Sequence, residues 1–174
     1  ELLVVITKSV DICSYFAYPN GYYGGSIGSR NTLHFYPHGF ELLGDEIPMA
    51  MAVAERMLQG LSDGTLVPPE IMSDRYVAYR VCEYLEAYID HSQRHVALES
   101  LPYERENFSR HFPQSGIVAL VRGRQYVVAN LHKGGVIKVF DRELGELLCN
   151  DCGWIGRLDT GETVTSQWVD SRNR

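Results

Sequence analysis

The residue types best suited to chemistry crowd into one stretch. Tyr22, Tyr23, Arg30, Asn31, His34, Tyr36, His38 and Glu41 all fall within the twenty residues from Tyr22 to Glu41. Tyr and His exchange protons with a bound ligand, while Arg and Asn grip an anionic or hydroxyl-rich one. The aromatic rings also offer flat faces for stacking on sugar rings. Gly21, Gly24, Gly25 and Gly28 punctuate the same run, and glycine lets a backbone turn tightly and approach a ligand closely. The pattern nominates His34 and Tyr36 as acid/base groups, with Tyr22, Tyr23, Arg30, Asn31 and His38 as substrate-binding groups. A structural reading stands beside it, in which the polar groups of a packed loop pair with its own backbone. Long irregular loops are uncommon in compact domains and carry function disproportionately.

Other short motifs are weaker. Gly24-Gly25-Ser26-Ile27-Gly28 lacks the lysine of a phosphate-binding loop and has no βαβ unit around it, which argues against a nucleotide. Cys149-Asn150-Asp151-Cys152 is a single CxxC between two short strand signals. Zinc would need a second pair or two histidines at ligand spacing, and a redox role would want the motif at a helix N-terminus. His91 and His95 have the spacing of a helical metal pair, but the helix should be ending there and no HExxH is present. Glu55, Glu83, Glu86 and Asp90 read most simply as solvated helix faces. No metal and no cofactor are expected.

Composition sets the outer limits. The chain has 174 residues, 45% of them apolar and 22% charged, the balance of a globular protein with a true core. A formal charge of −6 without any Lys/Arg cluster argues against nucleic acid as a partner. Four cysteines are too few for a disulfide scaffold. No run approaches the roughly 20 apolar residues of a membrane span, so no membrane partner is expected. Leu2–Ile6 is apolar but lacks a basic flank, so a signal peptide is a poor reading and a cytoplasmic location is favoured. That opening run has no capping residue. It predicts a cut inside a longer protein, with a homo-oligomeric copy or a missing neighbouring domain as its cover.

The elements that must position the candidate residues are legible as a change of period. Leu2, Ile6, Val10, Cys13 and Phe16 or Ala17 predict a helix over 2–17, stopped by Pro19-Asn20-Gly21. Ile47, Ala50, Met51, Ala54, Met57, Leu58 and Leu61 predict a helix over 45–61, with Asp45 as cap and Pro48 in its first turn. Ser73 or Asp74 opens a further helix to about Gln93, with Val77, Val81, Tyr84, Leu85, Tyr88 and Ile89 facing inward. Residues 94–114 read as a crossing. Beyond Ser115 the period falls to 2, and strands are predicted at 116–122, 125–132, 136–141, 146–149, 154–158 and 163–169. Short glycine turns make them antiparallel neighbours in one sheet of at least five strands.

The order of these parts carries a resemblance. A helical segment with a Gly- and aromatic-rich loop comes first. A meander follows, bearing Lys133-Gly134-Gly135-Val136-Ile137-Lys138-Val139-Phe140 and Asp151-Cys152-Gly153-Trp154-Ile155-Gly156. Together they resemble the heparinase II/III-like polysaccharide lyases, which join an α/α toroid to a β-sandwich. The resemblance implies an α+β chain: residues 1–114 as a partial, toroid-like helical half, and 115–174 as an antiparallel meander or sandwich. It also implies a carbohydrate-active protein, a lyase or hydrolase, with a polysaccharide or oligosaccharide as partner. A lyase cleaves an acidic glycan by β-elimination, with Tyr or His removing the proton beside the uronate carboxylate while Asn, His or Arg neutralises that carboxylate. On chemistry and proximity, Tyr36 and His34 would be acid and base, with Asn31 and Arg30 as neutralisers. The other class of function is a non-catalytic binding or structural module of a larger protein.

Overall fold

The computed structural model describes residues 1–24, 27, 35–91 and 99–166. They fall into two compact units, Glu1–Gly25 with Leu33–Arg105, and Ser26–Thr32 with Glu106–Arg174. The first is helical and the second is a sheet.

The helical unit comprises α1 (Leu2–Ser14), α2 (His38–Glu41), α3 (Pro48–Ser62) and α4 (Asp74–Asp90). Helix α3 is its core. Ala and Met are strong helix formers, Pro48 sits in the first turn where its missing N–H costs nothing, and Gly64 at φ +70° follows the last turn. Ala50, Met51, Val53, Ala54 and Met57 are buried, as their spacing predicts. Helices α1 and α2 both pack on α3, and α2 also packs on α4. Near its end α3 meets the chain turn after α1 at Gly60. A methyl group on Gly60 would stand 2.8 Å from the Gly21 Cα, so only two glycines allow this crossing.

Two expectations are corrected here. Three helices of 13, 15 and 17 residues and one four-residue turn do not make a toroid-forming half. The chain is α+β, but its helical part is a small packed unit. The second correction concerns α4, where Val81, Leu85, Tyr88 and Ile89 are 40, 56, 81 and 75% exposed instead of facing inward. Of this helix only Ala87 is buried. It docks through the stripe that carries Arg80, Tyr84, Ala87 and His91, so aromatic and polar contacts outrank the aliphatic period there.

The sheet unit is a five-stranded antiparallel meander of β1 (Phe108–Phe112), β2 (Ile117–Arg122), β3 (Gln125–Asn130), β4 (Val136–Asp141) and β5 (Glu146–Asp151), in sequential order. The hairpin of β6 (Ile155–Arg157) and β7 (Thr163–Thr165) forms a separate two-stranded sheet, so the expected single sheet divides. Strand β1 lies inside the stretch expected to be a crossing. Its central Ser109, Arg110 and His111 are exposed, which hides the alternation a strand should show. One face of the meander is buried, with Ala119, Val121, Tyr126, Val128, Asn130, Val136, Lys138 and Phe140 in register across β2, β3 and β4. At the β4–β5 turn, Asp141 Oδ1 accepts the N–H groups of Glu143 and Leu144 at 3.0 and 3.1 Å, and Oδ2 accepts from Arg124 at 2.7 Å. Burial opposes ionisation of this carboxyl, yet those donors outweigh it and hold Asp141 below the usual range.

Lys138 is fully buried, and its Nζ donates to Asn150 Oδ1 at 2.8 Å. Burial lowers the amine to about 8. An unfolded lysine keeps its proton to roughly pH 10.4, so between about pH 8 and 10 folding releases a proton and stability rises with pH. Above pH 10 the buried hydroxyls of Tyr18, Tyr23 and Tyr103, pushed up chiefly by burial, act in the opposite direction.

Two predictions follow from this packing. Gly60→Ala gains helix propensity of about 1 kcal/mol, yet the clash with Gly21 backbone should leave it 1–3 kcal/mol less stable, roughly the range for overpacking. Urea denaturation decides the sign. Raising the pH from about 7 to about 9.5 should stabilise the wild type by roughly 2 kcal/mol. Lys138→Met should lose that dependence when both are unfolded side by side.

Candidate functional site

Of the nominated residues, Tyr22, Tyr36 and His38 share the helical unit with α4. Phe35 is fully buried, its ring 5.1 Å from that of Tyr84. The Tyr36 N–H donates to Met57 Sδ at 3.4 Å, which ties this segment to α3. These anchors aim the Tyr36 side chain at α4. Its hydroxyl meets the Tyr79 hydroxyl at 2.5 Å, and the two rings stand edge to face at 5.8 Å and 89°. Arg80 and Glu83, on the same stretch of α4, act electrostatically on Tyr36. Arg80 also hydrogen-bonds Tyr84 and lies 3.8 Å from Met72 Sδ. The Tyr22 hydroxyl accepts the Val67 N–H at 2.8 Å and is close enough to Tyr84 to add to the upward pKa shift that burial gives that ring. Tyr22, Tyr36, Tyr79, Arg80 and Tyr84 are therefore one cluster.

Burial, and then the hydrogen bond to Tyr79, push the Tyr36 hydroxyl well above the ordinary tyrosine range, although Arg80 pulls the other way. At neutral pH the group keeps its proton and offers it only as a hydrogen bond. A general base would need the opposite shift.

His38 opens α2 and faces two carboxylates on successive turns of α4. Its Nε2 lies 2.8 Å from Asp90 Oδ2, and its Nδ1 lies 3.3 Å from Glu86 Oε2. Both ring nitrogens face carboxylates of α4, so the imidazole is engaged within the unit. On the same turn of α2, the buried Glu41 carboxylate places Oε1 at 3.3 Å from His91 Nδ1. Three imidazole–carboxylate contacts, two from His38 and one to Glu41, thus join α2 to α4 and the residue that follows it, on the edge where Tyr36 meets Tyr79.

Tyr23 is placed differently. It is buried, with its ring 5.4 Å from Phe40 at 65°, and it forms a bridge to Ala17. The next residue, Gly24, donates its N–H to Phe16 O at 2.9 Å and lies against the Tyr18 ring where a side chain would not fit. This end of the run is core. Arg30, Asn31 and His34 lie outside the described residues.

Tyr79, Arg80, Glu86 and Asp90 were not nominated from the sequence. The signal was present, since Tyr79, Glu83, Glu86 and Asp90 recur at helical spacing along one stripe. Only its partner, the segment 35–41, was hidden. A separate cleft of about 400 Å³ lies in the same unit between Glu55, Arg56 and Gln59 of α3 and residues such as Glu99, Tyr103 and Glu104. Its Arg56 guanidinium is already committed to Pro19 O at 2.5 Å.

Among the described residues, no group of three or more His, Cys, Asp or Glu is arranged to hold a metal ion. No described helix is long and apolar enough to cross a membrane. Comparison with protein-family models, curated proteins and solved structures finds no match to this chain.

Removing the Tyr79 hydroxyl should lower the titration of Tyr36 without returning it to the free value, because burial persists. Tyrosine ring-carbon NMR across an alkaline titration of Tyr79→Phe checks this. An unchanged Tyr36 titration would show that the hydroxyl pair does not couple.

Proposed function

We propose that this chain is a carbohydrate-active protein that engages a glycan along the edge formed by Tyr36, Tyr79 and Arg80. The observation that carries the reading is the paired Tyr36 and Tyr79 hydroxyls beside a guanidinium and the Glu83 carboxylate. Sugar rings present hydroxyls that need both donors and acceptors, and they present C–H faces that suit aromatic rings. Tyr76 and Tyr79, both more than half exposed, supply such faces one helical turn apart. Within a lyase mechanism, a Tyr36 held protonated suits hydrogen bonding to the leaving oxygen better than proton abstraction. Arg80, whose charge acts on the Tyr36 hydroxyl, would serve a uronate carboxylate. The surrounding Glu83, Glu86 and Asp90 carry the opposite charge, which makes neutral glycans a necessary arm of any assay.

A second reading rests on a different observation. Val81, Leu85, Tyr88 and Ile89 on α4 and Leu2–Val5 on α1 expose apolar surface, and such faces suit packing against another protein. This favours a non-catalytic module of a larger assembly.

The test is affinity electrophoresis and product assays on a panel of acidic and neutral polysaccharides, with ultraviolet detection of unsaturated uronates. Tyr36→Phe should lower turnover by roughly two to four decades if the group is a general acid. Tyr79→Phe should weaken binding several-fold. Absence of binding and turnover on the whole panel would transfer the function to the apolar faces, where sedimentation with concentration would reveal association.

A further inference from the structure

Helix α4 is covered on one side only. Each residue advances about 100° around a helix, which puts Ala78, Val81, Cys82, Leu85 and Ile89 on the side away from the buried Ala87. All five are exposed. Ala78, Cys82, Leu85 and Ile89 follow one another at spacings of four, three and four residues, the seam spacing of paired helices. Charge is confined to the margins of this side. Arg75 and Glu86 stand on the same flank, eleven positions apart, or about three turns. Arg75 is exposed and has no hydrogen bond or ion pair among the described residues. The Glu86 carboxylate meets His38 through Oε2 and is still 54% exposed.

We propose that this side of α4 is a self-association surface, occupied by the α4 of a second copy of this chain in antiparallel register. The two-fold axis would pass near Val81 and Cys82. That axis sets the small Ala78 of each copy level with Leu85 of the other, so a short side chain makes room for a long one. It brings the two Cys82 residues close together. It also puts Arg75 of each copy within reach of Glu86 of the other, because a two-fold axis across the helices joins like flanks. A parallel pair would instead level Arg75 with Arg75 and Glu86 with Glu86, which repel. The charge pattern therefore matches its own reverse, as an interface shared equally by two copies requires. Asp74 lies level with Ile89 of the other copy, at the open end of the seam. One helix pair is small beside the roughly 800 Å² per partner of a standard interface, so the association is weak and concentration-dependent. The inference names the occupant of the apolar face in the second reading above. It does not need the carbohydrate reading, because Arg80, Tyr84 and Ala87 lie on the other side of the helix.

Sedimentation velocity of the full chain at concentrations up to about 1 mM, a weak-binding limit, should show reversible dimerisation. Leu85→Glu should weaken it at least about ten-fold, since two-fold symmetry buries the new carboxylate twice. Arg75→Glu and Glu86→Arg should each weaken it several-fold. An equimolar mixture of those two variants should associate more tightly than either alone, because both flank pairs are then of opposite charge. A short bis-maleimide should link Cys82 to Cys82 in the wild type and in Cys149→Ser, and fail in Cys82→Ser. A wild type that stays monomeric throughout, or a dimer indifferent to Leu85→Glu, would overturn the surface. A mixture no tighter than its components, or linkage that survives Cys82→Ser, would overturn the antiparallel register. If Glu86→Arg does not fold, Leu85→Glu and the linkage pattern still decide. A chain that pairs this way without binding any glycan keeps this inference and loses the carbohydrate reading. One that binds glycan as a monomer does the reverse.

Discussion

The helical unit depends on how closely the chain can approach α3. Gly60 and Gly21 meet backbone to backbone, and nothing larger than hydrogen fits between them. Around this crossing the chain turn after α1 is fastened to α3 by polar contacts. Arg56 donates to Pro19 O, and Thr65 Oγ1 donates to Asn20 O at 2.8 Å. The same helix supplies Met57 beneath Tyr36. Tyr36 is tied to α3 through Met57, while the Tyr22 hydroxyl is held by the Val67 N–H just beyond that helix. Rigid elements placing side chains borne by irregular segments is the usual route to a site.

Helix α4 completes that edge by an unusual division of its surface. Its aliphatic residues face outward, and the docking side is built from Tyr84, Arg80, Ala87 and the carboxylates that meet His38. Imidazole–carboxylate contacts are directional where aliphatic packing is not, so α2 and α4 are held in one register instead of sliding. The consequence for chemistry is the Tyr36–Tyr79 pair, whose geometry needs that register. Burial and mutual hydrogen bonding keep the Tyr36 proton in place, so the edge offers hydrogen bonds and not free protons.

The sheet unit shows the same economy with buried polar groups. Lys138 and Asn130 sit on a face otherwise made of Val, Phe, Tyr and Ala, and each is tied to a named partner. Buried polar groups cost stability unless paired, and the pairing they demand is specific. Lys138 reaches the edge strand β5 across one register step, while Asn130 reaches back to Ile27. These contacts specify where the strands and Ile27 lie, which apolar contacts alone leave loose.

Alternation and glycine turns made most of the meander readable, because a strand buried on one face must repeat every two residues. Gln125–Asn130 and Val136–Asp141 were legible for this reason. Helix α3 was legible from its 3.6-residue period. Strand β1 was not, since its centre carries exposed Ser109, Arg110 and His111, and pairing with β2 alone makes it a strand. The inward face of α4 was misread because period shows which stripe is apolar, not whether anything covers it. The candidate site divides along the same line. Tyr22, Tyr36 and His38 stood out by residue type and crowding, which are local properties. Tyr79, Glu86 and Asp90 became visible only when α2 and α4 packed together, some 40 to 50 positions apart in the chain. The burial of Tyr23 likewise followed from its contact with Phe40. Sequence determines which groups are available and the period of the element that carries them. Only tertiary packing decides which face is covered, because coverage depends on residues distant in the chain.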